Sequence, residues 1–308
     1  DALQQNETTR YRLVSRQSPQ VLQLQNIHHH YGDTTALRGI DFDLYAGEIH
    51  AIIGDHYSGK SSIVKILSGD TRKQHGRIVL NGTEIDYLTP RRAIQEKIAT
   101  VYEHLTVIPS LNAVENVFAG RLKSFWFPFH IGSRNFGIAK GIFDRLGVHF
   151  DFTAPASSLS REEQHMIEVA RAFSLEPRIV ILDEVAKRLN PGQVEQVFSL
   201  LEEYRAQGTA VIYVTTDMEE VLKKADRVTV LRGGYRRATE RVSELDLFNL
   251  LKLTHGFALD VDGEPAQSRA SLAQRYNEDM INQLSVGVII LDEESSVYTI
   301  NPAAKEIL

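Results

Sequence analysis

Two segments of this chain carry residue types, in an order, suited to phosphate chemistry. The first is Gly54-Asp55-His56-Tyr57-Ser58-Gly59-Lys60-Ser61, which fits the pattern G-x-x-x-x-G-K-[ST]. Backbone N–H groups of such a loop, and of the helix that follows it, can surround phosphate oxygens. Gly59 lets the backbone approach closely. Lys60 supplies a cation, and the Ser61 hydroxyl can join the shell of a Mg²⁺ ion. Gly54, Tyr57, Ser58, Gly59, Lys60, Ser61 and Ser62 are therefore the candidate phosphate contacts. The competing reading is a glycine turn with an ordinary surface lysine. The flanks favour the first, because a strand pattern (Ile49 to Ile53) precedes the loop and a helix pattern (Lys60 to about Leu67) follows it.

The second segment is Ile179-Val180-Ile181-Leu182-Asp183-Glu184, about 120 residues further on. An apolar strand ending in two carboxylates delivers charge at its carboxyl end, where open α/β sheets bind ligands. Asp183 would hold Mg²⁺ through water, and Glu184 would polarise an attacking water. In isolation an Asp-Glu pair after a strand is as compatible with a helix cap.

The elements that must position these residues alternate between strand and helix periods. Val21 to Tyr31, Ala36 to Leu44, Ile98 to Tyr102, Ile179 to Leu182, Val211 to Val214 and Val228 to Leu231 read as strands. Gly76 to Leu80 with Asn81-Gly82 reads as a hairpin. Residues 110–175 read as mainly helical, capped at Ser110 or Asn112, and Val194 to Arg205 as an amphipathic helix. This order predicts an α/β core rich in parallel sheet. Ser124 to His130 is unusually aromatic, either tucked into the core or exposed as a docking surface. His28-His29-His30 lies on a strand, where neighbours point to opposite faces, which argues against a metal site.

Composition narrows the field. The chain has 308 residues, 43% hydrophobic and 24% charged, as ordinary globular material does. A net charge of −6 gives no electrostatic reason to expect direct contact with nucleic acid or an anionic membrane. The absence of cysteine excludes disulfides and thiolate metal sites and fits a cytoplasmic location. No apolar run approaches the roughly 20 residues of a membrane helix. The chain begins at Asp1 without a signal-peptide pattern and reads as a fragment. Residues 1–20 are expected to be a flexible lead-in.

Taken together, the two motifs and the runs around them resemble the ATPases of ABC transporters, and most the first cassette of the sugar-importer type. Ala36-Leu37-Arg38-Gly39-Ile40, Ala46-Gly47-Glu48-Ile49-His50-Ala51, Lys65-Ile66-Leu67-Ser68-Gly69 and Asp226-Arg227-Val228-Thr229-Val230-Leu231-Arg232 carry the likeness over residues 21–256. The resemblance implies an α/β P-loop NTPase fold with a mixed-sheet core, an antiparallel β subdomain and a helical subdomain. It implies ATP or ADP with Mg²⁺ as ligands, and Tyr31 as the aromatic that stacks on adenine. It also implies a cassette homodimer in which Ser160 faces the nucleotide of the opposite subunit.

The loops of the site depart from that family's pattern. Tyr57 replaces a glycine, and its bulk is expected to narrow the loop or alter its dihedrals. Glu103 replaces the glutamine that contacts Mg²⁺ and the attacking water, and it can itself ligate metal. Glu162 stands at a signature glycine and brings a carboxylate toward a triphosphate. Thr216 replaces the histidine that contacts the γ-phosphate and is too short for that contact. Val185-Ala186-Lys187-Arg188-Leu189-Asn190 departs from the usual Pro-Thr-containing run.

After a linker expected at 257–270 comes a helix pattern, Ser271 to Leu284, whose narrow apolar stripe suits a coiled-coil seam or packing on its own domain. Gly287 to Leu291, Asp292 to Ser296 and Val297 to Ile300 read as strand, turn and strand. With Asn301-Pro302-Ala303-Ala304 entering a helix, they resemble the opening of a PAS domain within 271–308; any small hairpin is the plainer reading. A PAS domain implies sensing and a further route to dimerisation. Three functions follow as expectations. The first is an ATP-binding regulatory domain with weak or absent hydrolysis. The second is an active ATPase subunit of a sugar-type importer, paired with a membrane permease. The third is an interaction scaffold without nucleotide.

Overall fold

The computed structural model describes residues 18–121, 133–255, 289–291, 297–300 and 302–307. The aromatic stretch 124–130, the linker, the helix pattern 271–284 and the turn 292–296 lie outside the described residues, as does most of the lead-in. The chain divides into two compact units, Asp1–Phe257 and Ala258–Leu308.

The first unit opens with β1 (Gln20–Tyr31) and β2 (Thr34–Tyr45), paired antiparallel. Strand β1 thus starts one residue inside the expected lead-in. Its buried residues shift from Leu22 and Leu24 to Ile27 and His29. A register irregularity between Leu24 and Ile27, with Asn26 at φ 50°, makes the change of face. The triple-histidine run therefore splits: His29 is buried while His30 is exposed.

Next come β3 (Ile49–Gly54), α1 (Lys60–Ser68), β4 (His75–Leu80), β5 (Thr83–Ile85), α2 (Pro90–Gln95) and β6 (Ile98–Val101). Then follow α3 (Ala113–Phe118), α4 (Ser133–Arg145), α5 (Arg161–Phe173), β7 (Ile179–Asp183) and α6 (Pro191–Ala206). The unit closes with β8 (Ala210–Val214), α7 (Met218–Lys224), β9 (Arg227–Arg232), β10 (Tyr235–Arg241) and α8 (Leu247–His255).

Two sheets result. An antiparallel sheet has the order β2-β1-β4-β5, and a larger one has the order β10-β9-β3-β8-β7-β6. In the larger sheet every pair is parallel except β9 with β10. Strands β3, β7 and β8 are buried at every residue, as strands covered on both faces must be. One face carries α3, α4, α5 and α6 through Phe143, Phe173, Val197, Leu201 and Tyr213; the other meets α1 and the antiparallel sheet through Ile52, Ile63, Leu67 and Phe42. Phe143, Phe150 and Phe152 form a ring cluster with centroids 4.9 to 5.4 Å apart within the helical part.

The helical reading of 110–175 holds for α3, α4 and α5, which are separated by loops and a short 3-10 turn at Ala156–Ser158. Asn112 is the cap of α3, in a reciprocal capping box with Glu115. Strand β10 and helices α2, α7 and α8 were not legible from sequence. β10 reads Tyr-Arg-Arg-Ala-Thr-Glu-Arg, a charged edge strand without an apolar alternation.

In the second unit, β11 (Ile289–Leu291) pairs antiparallel with β12 (Val297–Ile300), with Ile289 opposite Ile300. A helix, α9 (Pro302–Ile307), follows.

Candidate nucleotide site

Parallel pairing brings the candidate residues to one edge. Gly54 lies level with Leu231, Ile52 with Val214, Asp183 with Val214, and Val101 with Leu182. The loops after β3, β6, β7 and β8 therefore leave the sheet on the same side. They carry Lys60, Glu103, Glu184 and Thr216 respectively. This is the carboxyl edge at which open α/β sheets bind ligands.

The loop after β3 is held from several directions. Gly54 has no room for a side chain, since a Cβ would overlap the Leu231 carbonyl oxygen and come 2.7 Å from Ser58 Oγ. Gly59, at φ 108°, caps α1, and its missing Cβ would stand 2.6 Å from Leu37 Cδ2 and 2.8 Å from the Ala36 carbonyl oxygen. The Ala36-Leu37 run thus packs directly on the loop. Gly234 N–H donates to the Ser58 carbonyl oxygen at 3.2 Å, so the β9–β10 hairpin supports the loop as well.

Helix α1 has no side-chain cap and no acidic residue in its first turn. Its first N–H groups lack intrahelical acceptors and favour an anion. Ser61 is exposed and Ser62 buried in that turn. Lys60 is buried, and its ammonium donates to the Gly54 carbonyl oxygen at 2.5 Å, the Asp55 carbonyl oxygen at 3.0 Å and Ser58 Oγ at 3.4 Å. Burial lowers its pKa, and the Glu184 carboxylate opposes that shift. Tyr57 has φ 63° and is 99% exposed, so its bulk points into solvent and does not narrow the loop.

Asp183 is buried at the end of β7. Burial first, and then the Glu103 and Glu184 carboxylates, push its pKa up to about 6. Glu184, at φ 51°, starts a 3-10 turn, Val185–Arg188. Its Oε2 is buried and accepts no hydrogen bond. Lys187 Nζ lies 3.0 Å from that oxygen, an ion pair off the hydrogen-bonding direction. Arg188 reaches across to Glu103, donating from Nη2 to Oε1 at 3.3 Å.

A magnesium nucleotide fits these residues. The uncapped helix end and the buried Lys60 suit phosphates. Asp183, Glu103 and Ser61 are oxygen donors of the kind Mg²⁺ takes, and Glu184 Oε2, buried beside Lys187 without accepting a hydrogen bond, suits a polarised water.

The remaining candidates stand as follows. Tyr31 ends β1, edge-on to His29, and Lys65 Nζ of α1 lies 5.6 Å from its ring centroid. Thr216 is exposed beyond the end of β8. Ser160 caps α5 in a capping box: its backbone N–H donates to Glu163 Oε2 at 2.7 Å, and its Oγ accepts from Glu163 N at 3.2 Å. Its backbone N–H is therefore committed to its own helix, and only the hydroxyl proton remains for a ligand. Glu162 is exposed in the first turn of α5. Lys187 and Arg188 had no assigned role in the sequence; two consecutive cations after the acidic pair were the signal.

A P-loop site at the carboxyl edge of this sheet, beside an antiparallel sheet and a helical subdomain, defines an ATP-binding cassette. The chain carries an ATPase domain of the ABC transporter family, whose model matches residues 37–187. It is 35% identical over 252 residues to the ribose import ATP-binding protein RbsA 2 of Burkholderia ambifaria, covering 82% of this chain and 50% of that protein. It is also 35% identical to the ribose import ATP-binding protein RbsA of Hahella chejuensis, covering 77% of this chain and 47% of that one. The chain thus spans about half the length of the curated relatives it matches.

Among solved structures, a nucleotide-free ATP-binding cassette from an ABC transporter superposes with a TM-score of 0.68 at 21% identity, covering 80% of this chain and all of that one. A bacterial ABC transporter cassette solved as a dimer gives 0.62 at 22% identity, covering 72% of this chain and 98% of that one. Among the described residues no helix is long and apolar enough to cross a membrane.

Proposed function

We propose that this domain binds ATP and ADP with Mg²⁺ at the loop after β3, and works as one cassette of a pair in a sugar-type importer. The carrying observation is the buried Lys60 ammonium, folded onto the loop carbonyls on the same sheet edge as Asp183 and Glu184. The importer part draws on the likeness to ribose import ATP-binding proteins. Lys60, Ser61 and the N-terminus of α1 hold phosphate, Asp183 and Glu103 orient the metal, and Glu184 accepts from water. When bound, Mg²⁺ offsets phosphate charge. A membrane permease is the partner this reading implies.

A second reading keeps the nucleotide and drops turnover. Glu162 and Thr216 favour it, because one adds a carboxylate to the pairing face and the other removes a γ-phosphate contact. In that reading residues 21–256 are a regulatory cassette, 257–270 a linker, and 271–308 a linker helix and the start of a PAS-like domain that supports dimerisation. One series of measurements separates the readings. In calorimetric titration, Lys60→Ala is expected to lose micromolar binding of Mg-ATP and Mg-ADP; no binding by the unaltered chain would leave only a scaffold. Phosphate release abolished by Glu184→Gln supports the importer subunit. Binding without phosphate release supports the regulatory cassette.

A further inference from the structure

The run that follows the two acidic residues folds back over the site. Because Glu184 takes a left-handed conformation and Val185–Arg188 forms a 3-10 turn, Lys187 comes within 3.0 Å of Glu184. Arg188, next along the turn, pairs at 3.3 Å with Glu103, which belongs to the loop after β6. Two carboxylates that follow different strands are thus each matched by a cation from one short turn. The Lys187 charge is also felt at Lys60, where it disfavours the ammonium.

The charge balance is what makes the turn informative. With Lys60 as the sole cation, Asp55, Glu103, Asp183 and Glu184 would set a net charge of about −3 against an incoming triphosphate, a repulsion that a divalent ion has to offset. Lys187 and Arg188 bring that local sum to about −1 without any ion. Their side chains are 48% and 40% exposed, so each can swing from its carboxylate toward phosphate.

We propose that Lys187 and Arg188 are built-in counter-ions of the nucleotide site, which let it take metal-free nucleoside triphosphate nearly as well as the magnesium complex. The inference rests on the nucleotide-site reading given above. It extends that reading to which form of the nucleotide is bound.

The test is calorimetric titration of the full chain with ATP, once with excess EDTA and once with Mg²⁺. The unaltered chain is expected to show affinities within about threefold of each other, a difference under 1 kcal/mol. In Lys187→Ala/Arg188→Ala the EDTA affinity is expected to fall about tenfold, allowing for solvent screening of half-exposed charges, while the Mg²⁺ affinity changes less. Circular dichroism checks the fold. Should the double variant fail to fold, Arg188→Gln alone and the charge-keeping Lys187→Arg/Arg188→Lys carry the comparison, the first widening the gap and the second preserving it. A gap above tenfold in the unaltered chain, or an equal gap in the charge-removed variants, overturns the proposal while leaving the nucleotide site intact. No binding of ATP in either buffer by the unaltered chain overturns the nucleotide reading, and this proposal with it.

Discussion

At the residue scale, the site pairs conformational freedom with conformational strain. Gly59 needs its φ of 108° and its bare Cα. Tyr57 and Glu184 adopt left-handed φ values of 63° and 51° without being glycine. Such a conformation costs a non-glycine residue roughly 1 kcal/mol or more. Glu184 uses its turn to bring Lys187 back toward its own carboxylate. Tyr57 gains nothing comparable, because its ring stands in solvent. Tyr57→Gly is therefore expected to stabilise the fold by up to about 1 kcal/mol, less the extra freedom glycine has when unfolded. The urea midpoint measures it, and a lower midpoint would show that the ring has a partner.

At the element scale, local stability and pairing pull helix α5 in opposite directions. Its first turn carries Glu162 and Glu163. Both suit the positive end of the helix dipole, and Glu163 closes the capping box with Ser160. Glu162 closes nothing. In the cassette pair proposed here, its carboxylate faces a triphosphate. Glu162→Gly is expected to cost about 1 kcal/mol of stability, from propensity and dipole together. The same change is expected to increase ATP-dependent dimerisation, read by sedimentation. A variant that loses stability without gaining pairing would remove Glu162 from the interface.

At the scale of the whole molecule, the two sheets of the first unit meet at His50. Its ring, fully buried in β3, lies 3.0 Å from the Asp43 carbonyl oxygen of β2 through Nδ1 and 2.8 Å from Thr229 Oγ1 of β9 through Nε2. Burial lowers its pKa from 6.5 to about 3, helped by the Arg227 charge. The unfolded chain then binds a proton that the folded chain refuses, so stability falls as pH drops below about 6.5. Neighbouring Glu48, pushed up to about 7 by burial, acts in the opposite sense: its contribution is complete below about 4.5 and is lost as pH rises through about 7. Urea unfolding at pH 7 and pH 5, compared between the unaltered chain and His50→Asn, subtracts the Glu48 contribution common to both. The stability difference between the two pH values, taken as pH 7 minus pH 5, is expected to be about 2 kcal/mol larger for the unaltered chain than for His50→Asn. Equal differences would mean that His50 is protonated in the fold.

Much of this was legible in the order of residues. The phosphate loop is a local object, a strand, a turn and a helix end within 20 residues, so its pattern survives in one dimension. The buried strands β3, β7 and β8 announce themselves as unbroken apolar runs, because both their faces are covered. Edge strand β10 did not, since an exposed strand of mostly charged residues has no apolar period to read.

What tertiary structure decided is which distant residues share an edge. Glu103 and Glu184 are 81 positions apart in sequence and leave the sheet at one edge because β6 and β7 pair in register. The two cations that answer them, Lys187 and Arg188, looked like ordinary departures from a family run. Only the 3-10 turn, with Glu184 left-handed at its head, brings one onto Glu184 and the other across to Glu103. Sequence determines the chemistry each residue can offer, because that is local. Charge balance in the site belongs to the fold, because Coulomb interactions depend on distance through space and not along the chain.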